Sequence, residues 1–141
     1  IGFLDGYEGL IENRYINLGL RDVSGIMARG GTILGSSNRA NPFRFPVLQD
    51  NDYVYLDRSS QAVRNFEALG LEVLIAIGGD GTMLYAARLA APHQRPLLGI
   101  NRGRLGFLAD VSPDELPSLL DRLLAGRLAV EEHLMLNCQA V

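Results

Sequence analysis

Val73-Leu74-Ile75-Ala76-Ile77 carries no polar position on either face and runs straight into Gly78-Gly79. An apolar run of that kind, closed by glycines, predicts a strand buried in a parallel sheet. The pattern then changes period. Met83 to Ala91 reads as a helix ended by Pro92, and Leu97-Leu98-Gly99-Ile100 reads as a second short buried strand. Upstream, Asp57 or Ser59 is placed to cap a helix whose apolar face is Ala62 or Val63, Phe66 and Leu69, with Gly70 at its C-terminal end. Ile1 to Leu4 predicts a short strand ending in the turn Asp5-Gly6-Tyr7. Asp22 is placed to cap a short helix carrying Val23, Ile26 and Met27 and stopped at Gly30-Gly31. Thr32 to Leu34 reads as another strand, followed by a loop from Gly35 to Pro46. That loop holds Asn38, Arg39, Asn41 and Pro42 and is long enough to suggest a binding role.

Ser112-Pro113-Asp114-Glu115 has the capping-box pattern ahead of Leu116, Leu119, Leu120, Leu123 and Leu124. Pro117 removes a donor from that helix, so a start at Pro117 is the alternative. Gly126 ends it, and the leucine face is expected to cover a sheet. Residues 129–141 alternate, with Leu134, Leu136, Cys138 and Ala140 on one face, as in a strand that needs a partner. The fold class expected is a three-layer, Rossmann-like α/β domain over residues 1–127. Its mostly parallel sheet would include strands 1–4, 32–35, 72–77 and 97–100. A terminal strand at 128–141 would open a missing all-β domain or serve as an edge for a homo-oligomer.

Composition removes several classes of function. The 141 residues are 48% hydrophobic and 21% charged, an ordinary balance for a globular domain. A net charge of −3 argues against a nucleic-acid partner. No apolar run approaches the roughly 18 residues of a membrane span, so no membrane partner is expected. Cys138 is the only cysteine, which excludes an internal disulfide and fits a reducing, cytoplasmic setting. All 13 basic residues are arginines, so a P-loop lysine or a Schiff-base lysine is excluded. His93 and His133 have no ligand partner at metal spacing and read as structural or solvated.

The candidate chemistry lies in Ile77-Gly78-Gly79-Asp80-Gly81-Thr82, between a buried strand and a helix. Ligands of parallel α/β sheets bind at the carboxyl ends of strands, where the free N–H groups of a helix N-terminus attract phosphate. Gly78, Gly79 and Gly81 would let the backbone approach such a ligand with no Cβ in the way. Asp80 repels phosphate by itself, and makes sense as a Mg²⁺-facing carboxylate or as a base near a hydroxyl nucleophile. The plainer reading is a tight turn with Asp80 or Thr82 capping the helix. Arg102 and Arg104, in the loop after the second strand, suit phosphate oxygens or are simply solvated.

From Gly78 onward the chain resembles the NAD kinases. Gly-Gly-Asp-Gly-Thr-Met-Leu-Tyr-Ala-Ala-Arg from Gly78 is followed at that family's spacing by Pro96 to Leu108, read Pro-Leu-Leu-Gly-Ile-Asn-Arg-Gly-Arg-Leu-Gly-Phe-Leu. Residues 1–81 resemble the bacterial 6-phosphofructokinases instead, through Gly2 to Leu10, Asp22 to Ile26 and Gly30 to Ser37. The two families share a superfamily and the Gly-Gly-Asp-Gly motif, so a chimera joined near residues 78–82 is the expectation. The resemblance implies an ATP-dependent phosphotransferase with Mg²⁺ as cofactor and nucleotides as its small-molecule partners. It implies that Tyr7 and Arg39 contact ATP, and that Asp80, Gly81 and Thr82 hold its Mg²⁺ and phosphates. On the NAD kinase side, Asp80 would be the base for the ribose 2′-hydroxyl. Asn101 and Arg102 fall within the second motif and are carried as cofactor-binding, and Phe107 and Leu108 would line the dinucleotide pocket. From pattern alone, Tyr7 reads equally as a packed ring, and Phe107 reads more readily as core than as pocket. The acceptor regions of both families are incomplete here; the resemblance favours NAD as acceptor, since part of its pocket survives, with fructose 6-phosphate second. A nucleotide-binding module or folding scaffold without turnover is the competing expectation.

Overall fold

The computed structural model describes residues 1–23, 32–102, 107–108, 111–112 and 114–136. In chain order it contains β1 (Gly2–Phe3), α1 (Tyr7–Glu12), β2 (Tyr15–Ile16), α2 (Leu20–Val23), β3 (Phe45–Gln49) and β4 (Asp52–Leu56). There follow α3 (Ser59–Ala68), β5 (Leu74–Gly78), α4 (Asp80–Ala90), a 3-10 turn at Ala91–His93, β6 (Leu97–Asn101) and α5 (Leu116–Leu124).

The strand before the paired glycines forms as its pattern predicts. β5 pairs in parallel with β6, from Leu74↔Leu97 to Gly78↔Asn101, and α4 returns between them as a crossover helix. The wider expectation of one mostly parallel sheet does not hold among the described residues, which form three separate two-stranded sheets. β1 pairs antiparallel with β2, because Asn13 adopts a left-handed conformation (φ 57°) and turns the chain straight back after α1. Thr32 to Gly35 makes no strand. The Thr32 hydroxyl takes the Leu34 N–H, and a single bond from Asp5 N–H to the Leu34 carbonyl (2.7 Å) joins this stretch to the chain after β1. A side chain that occupies its own neighbour's backbone competes with ladder formation.

Two buried clusters hold the molecule together. Leu10, Ile11, Ala62, Phe66 and Leu89 join α1, α3 and α4, while Ala76, Met83 and Ala86 join β5 to α4. Ala62 and Ala86 have no exposed surface, so the elements approach closely there. Asn65 Nδ2 donates to the carbonyls of Leu10 and Ile11 at 2.8 and 2.9 Å, satisfying the C-terminal end of α1 from α3.

The C-terminal ends of α3 and α5 follow the sequence closely, and the helix starts differ from it. Asp57 Oδ1 accepts the Ser59 hydroxyl and N–H at the start of α3, and both bonds hold its carboxyl below the usual carboxylate range. Gly70 and Gly126 close α3 and α5 in left-handed conformations, each with the paired backbone bonds of a Schellman turn. Asp22 lies inside α2 rather than before it, and its carboxylate accepts the N–H of Gly19 at 2.8 Å, the return arm of a capping box. Ser112 and Glu115 make the same exchange, but α5 starts at Leu116, with Glu115 as its N-cap residue and no side-chain cap, so it begins at neither of the starts expected from the sequence. Ile26, Met27, Gly30, Gly31, Arg104, Pro113, Cys138 and Ala140 lie outside the described residues.

Three burial expectations fail. Only one face of β5 is covered, by α4, leaving Ile75 and Ile77 39% and 57% exposed. None of the α5 leucines is buried, so this helix does not act as the expected sheet cover. Residues 127–136 form no strand, and Leu134 and Leu136 are exposed, because no partner strand stands beside them among the described residues.

A hairpin not anticipated from the sequence fills Phe45 to Leu56. β3 and β4 pair from Gln49↔Asp52 to Phe45↔Leu56 across Asp50-Asn51, both with positive φ (49° and 69°), the pattern of a type I′ turn. The pair flanking such a turn is hydrogen-bonded, and bonded and non-bonded pairs then alternate. Pro46 falls opposite Tyr55 at a non-bonded pair, where its missing N–H costs the hairpin nothing.

Candidate functional site

The Gly78–Thr82 segment sits at the carboxyl ends of β5 and β6. Gly78 is in register with Asn101, a buried polar residue whose N–H donates to the Val111 carbonyl at 2.9 Å. α4 begins at Asp80, three residues before the apolar pattern starts, and no side chain caps it. The capping alternative for Asp80 and Thr82 is therefore not what the structure contains. The first-turn N–H groups of an α-helix have no intrahelical partner, so they are left facing outward at the positive end of the dipole.

The three glycines differ in what demands them. A Cβ at Gly78 would fall 2.5 Å from Thr82 Oγ1, so the Thr82 side chain itself requires glycine there. A Cβ at Gly79 or Gly81 would meet nothing within 4 Å, and neither residue has a positive φ. Nothing among the described residues explains glycine at those two positions.

Asp80 points towards the loop after β6. Its carboxylate oxygens accept the backbone N–H groups of Phe107 (3.2 Å) and Leu108 (3.1 Å). Phe107 leaves its ring fully exposed and Leu108 is 47% exposed, so neither side chain is core. Arg102 is exposed at the end of β6. Arg39 is exposed as well; its backbone N–H donates to Ser37 Oγ, and its guanidinium makes no bond among the described residues.

Tyr7 comes to the site from α1 in a way the sequence did not indicate. Its ring packs edge-on against Tyr85, and its hydroxyl donates to the Thr82 carbonyl at 2.8 Å. Burial, reinforced by Tyr85, pushes the Tyr7 phenol well above the usual tyrosine range. Tyr7 thus braces the first turn of α4 from behind. Phe43 stacks on Tyr85, Asn41 Nδ2 donates to the Tyr85 hydroxyl (3.2 Å), and the Arg88 guanidinium lies 3.9 Å from the Phe43 ring centre. These contacts fasten the Gly35–Pro46 loop to α4. Asn41-Pro42-Phe43 carried a local signal, since Asn41 Oδ1 accepts the Phe43 N–H in an Asx turn. The donors to Asp80 are backbone groups and had none.

Tyr7→Phe is expected to cost about 1 kcal/mol, the usual worth of a buried neutral hydrogen bond. The raised phenol favours the protonated folded form, so its contribution is complete below the ordinary tyrosine value near 10 and fades as pH rises above it. Thermal midpoints measured from pH 8 to 11 should fall less steeply in the phenylalanine variant than in the parent.

The local chemistry fits phosphate better than a free metal ion. Open amide donors beside two unhindered glycines match phosphate oxygens. Among the described residues no three His, Cys, Asp or Glu side chains gather to hold a metal. One carboxylate suits Mg²⁺ only when substrate phosphates complete its shell.

Comparison with known proteins agrees with the second half of the sequence reading. Residues 22–128 match the ATP-NAD kinase N-terminal domain. The NAD kinase of Moorella thermoacetica is 51% identical over 77 residues, covering 55% of this chain and 25% of that protein. That of Natranaerobius thermophilus is 39% identical over 103 residues, covering 66% of this chain and 36% of that protein. The NAD kinase of Cellvibrio japonicus is 38% identical over 88 residues, 61% of this chain and 29% of its own length. The chain therefore spans about a quarter to a third of the length of these curated relatives. The family match runs unbroken across residues 78–82, where a join between two families was expected, and nothing in it supports the phosphofructokinase segment. With its motifs and most of its length matched, the chain belongs to the NAD kinase family.

Proposed function

We propose that this chain forms the phosphate-binding part of an ATP-dependent kinase acting on the 2′-hydroxyl of NAD. The observation that carries the reading is the uncapped first turn of α4 beside Gly79 and Gly81, glycines that no contact among the described residues requires. In this reading the N–H groups of Asp80, Gly81 and Thr82 bind phosphate oxygens, and Tyr7 holds that turn in place through the Thr82 carbonyl. Asp80 accepts the proton from the acceptor hydroxyl or faces a metal ion on the phosphates. Bound Mg²⁺ would supply neutralisation of phosphate charge. Arg102 and Arg39, both exposed and without a side-chain bond among the described residues, are cations available to the transferring group, and Phe107 and Leu108 offer exposed apolar surface to a dinucleotide.

A second reading, a nucleotide-binding module without turnover, is favoured by the two bonds that already engage Asp80. The phosphofructokinase-like reading of residues 1–81, the chimeric join and fructose 6-phosphate as acceptor have motif resemblance as their only support.

The test is Gly81→Ala. Alanine inside a helix with open space around it should leave stability unchanged or raise it by about 0.5–1 kcal/mol. At the phosphate site the added methyl should weaken ATP·Mg²⁺ binding by about tenfold, read as a smaller rise of the thermal midpoint with ligand. An unchanged ligand-induced rise in the variant removes the phosphate site from the first turn of α4. NAD phosphorylation by the parent chain separates kinase from module.

A further inference from the structure

Every residue of β4 is exposed, and among the described residues its only strand partner is β3. Natural edge strands are usually blunted by lysine, proline or a bulge. β4, reading Asp52-Tyr53-Val54-Tyr55-Leu56, has none of these, and pairs with β3 without interruption. Its outer side presents a defined set of groups. Since Asp52, Val54 and Leu56 bond inward to Gln49, Val47 and Phe45, the N–H and C=O groups of Tyr53 and Tyr55 point away from the hairpin.

We propose that β4 pairs antiparallel with β4 of a second copy of this chain about a two-fold axis at Val54. In that register Tyr53 of one copy stands opposite Tyr55 of the other. Both tyrosines are then bonded-pair positions, and four backbone hydrogen bonds form around the axis. The side chains agree with the backbone. Tyr53 and Tyr55 share a face with Leu48 and Pro46, and Tyr53, Tyr55 and Leu48 are 60%, 53% and 63% exposed. Pairing makes two cross-strand Tyr–Tyr contacts and continues that apolar face across four strands. Charge selects the same arrangement. The hairpin tip carries Asp50 and Asp52, while its base carries Arg44 and Arg58 against the single acid Asp57. Antiparallel pairing sets the acidic tip of each copy beside the basic base of the other, with Asp50 level with Arg58. A parallel pairing would place like beside like.

The terminal strand expected from the sequence is not needed for this contact, and the nucleotide reading plays no part in it. The experiment is sedimentation equilibrium of the whole chain, with amide hydrogen exchange below and above the association midpoint. A dimer is expected, weakening as salt rises. The Tyr53 and Tyr55 amides should slow on association, while the Val54 amide, already bonded to Val47, changes little. Tyr55→Pro removes one outward N–H from each copy and no backbone bond of the hairpin, along with the ring on which the Arg44 guanidinium lies (4.4 Å), and should weaken the dimer by about tenfold or more. Unchanged circular dichroism shows that this variant remains folded, and Arg58→Glu, which should also weaken the dimer, gives an independent variant. A monomer at every concentration overturns the proposal, as does a dimer or a larger assembly that leaves the Tyr53 and Tyr55 amides unprotected.

Discussion

Gly9→Ala is expected to destabilise the protein by about 3 kcal/mol and to lower its thermal midpoint by about 10 °C. Helix propensity alone predicts the opposite sign, a gain of up to about 1 kcal/mol, because Gly9 lies inside α1. The difference comes from what surrounds it. A Cβ at Gly9 would fall on the Leu4 carbonyl oxygen, with the Arg14 carbonyl and the Leu4 nitrogen close behind. All three are backbone atoms, so no side chain can swing aside. The same groups join α1 to the β1–β2 pair, through Leu4 N–H to the Arg14 carbonyl (3.0 Å) and Arg14 N–H to the Gly9 carbonyl (2.8 Å). Making room for a methyl group means breaking these bonds. A variant as stable as the parent in a urea titration would show that this close approach is not present in solution.

On the kinase reading proposed above, Asp80→Asn should reduce phosphorylation of NAD by ATP by about 10²- to 10⁴-fold, the usual contribution of a positioned base. Asparagine keeps the shape and one of the two oxygens that accept the Phe107 and Leu108 N–H groups, and the bond it gives up is at an exposed loop, so the fold should persist and the loss should appear in kcat. A loss confined to KM for ATP would instead make Asp80 a metal-facing residue. Turnover equal to the parent's would reject both roles.

Local signals in the sequence were reliable and the assembly of elements was not. The glycine stops at Gly70 and Gly126, the Asp57–Ser59 turn ahead of α3, the α3 face and the β5–β6 pair depend on residues close in the chain or on one unbroken apolar run. The single mostly parallel sheet depended on which strands meet, and no local pattern reports that Asn13 turns the chain back to pair Tyr15-Ile16 with β1. The β3–β4 hairpin was legible but unread. Asp50-Asn51 between two runs rich in aliphatic and aromatic residues is a turn signal, masked by the expectation of a loop as far as Pro46. At the site, the Gly-Gly-Asp-Gly string marked the end of β5, while the helix expected from Met83 begins three residues earlier, at Asp80. The roles of its members did not follow from spacing. Gly78 is dictated by Thr82 while Gly79 and Gly81 are not, and Tyr7 reaches the loop through a backbone carbonyl.

Pro46 has a consequence for how far such an assembly can grow. The free side of β3 offers main-chain groups only at residues 46 and 48, and at 46 the ring nitrogen carries no hydrogen to give. A four-stranded ribbon built from two hairpins would therefore end in poor templates on both flanks. Growth should stop at a closed pair rather than run on into fibrils.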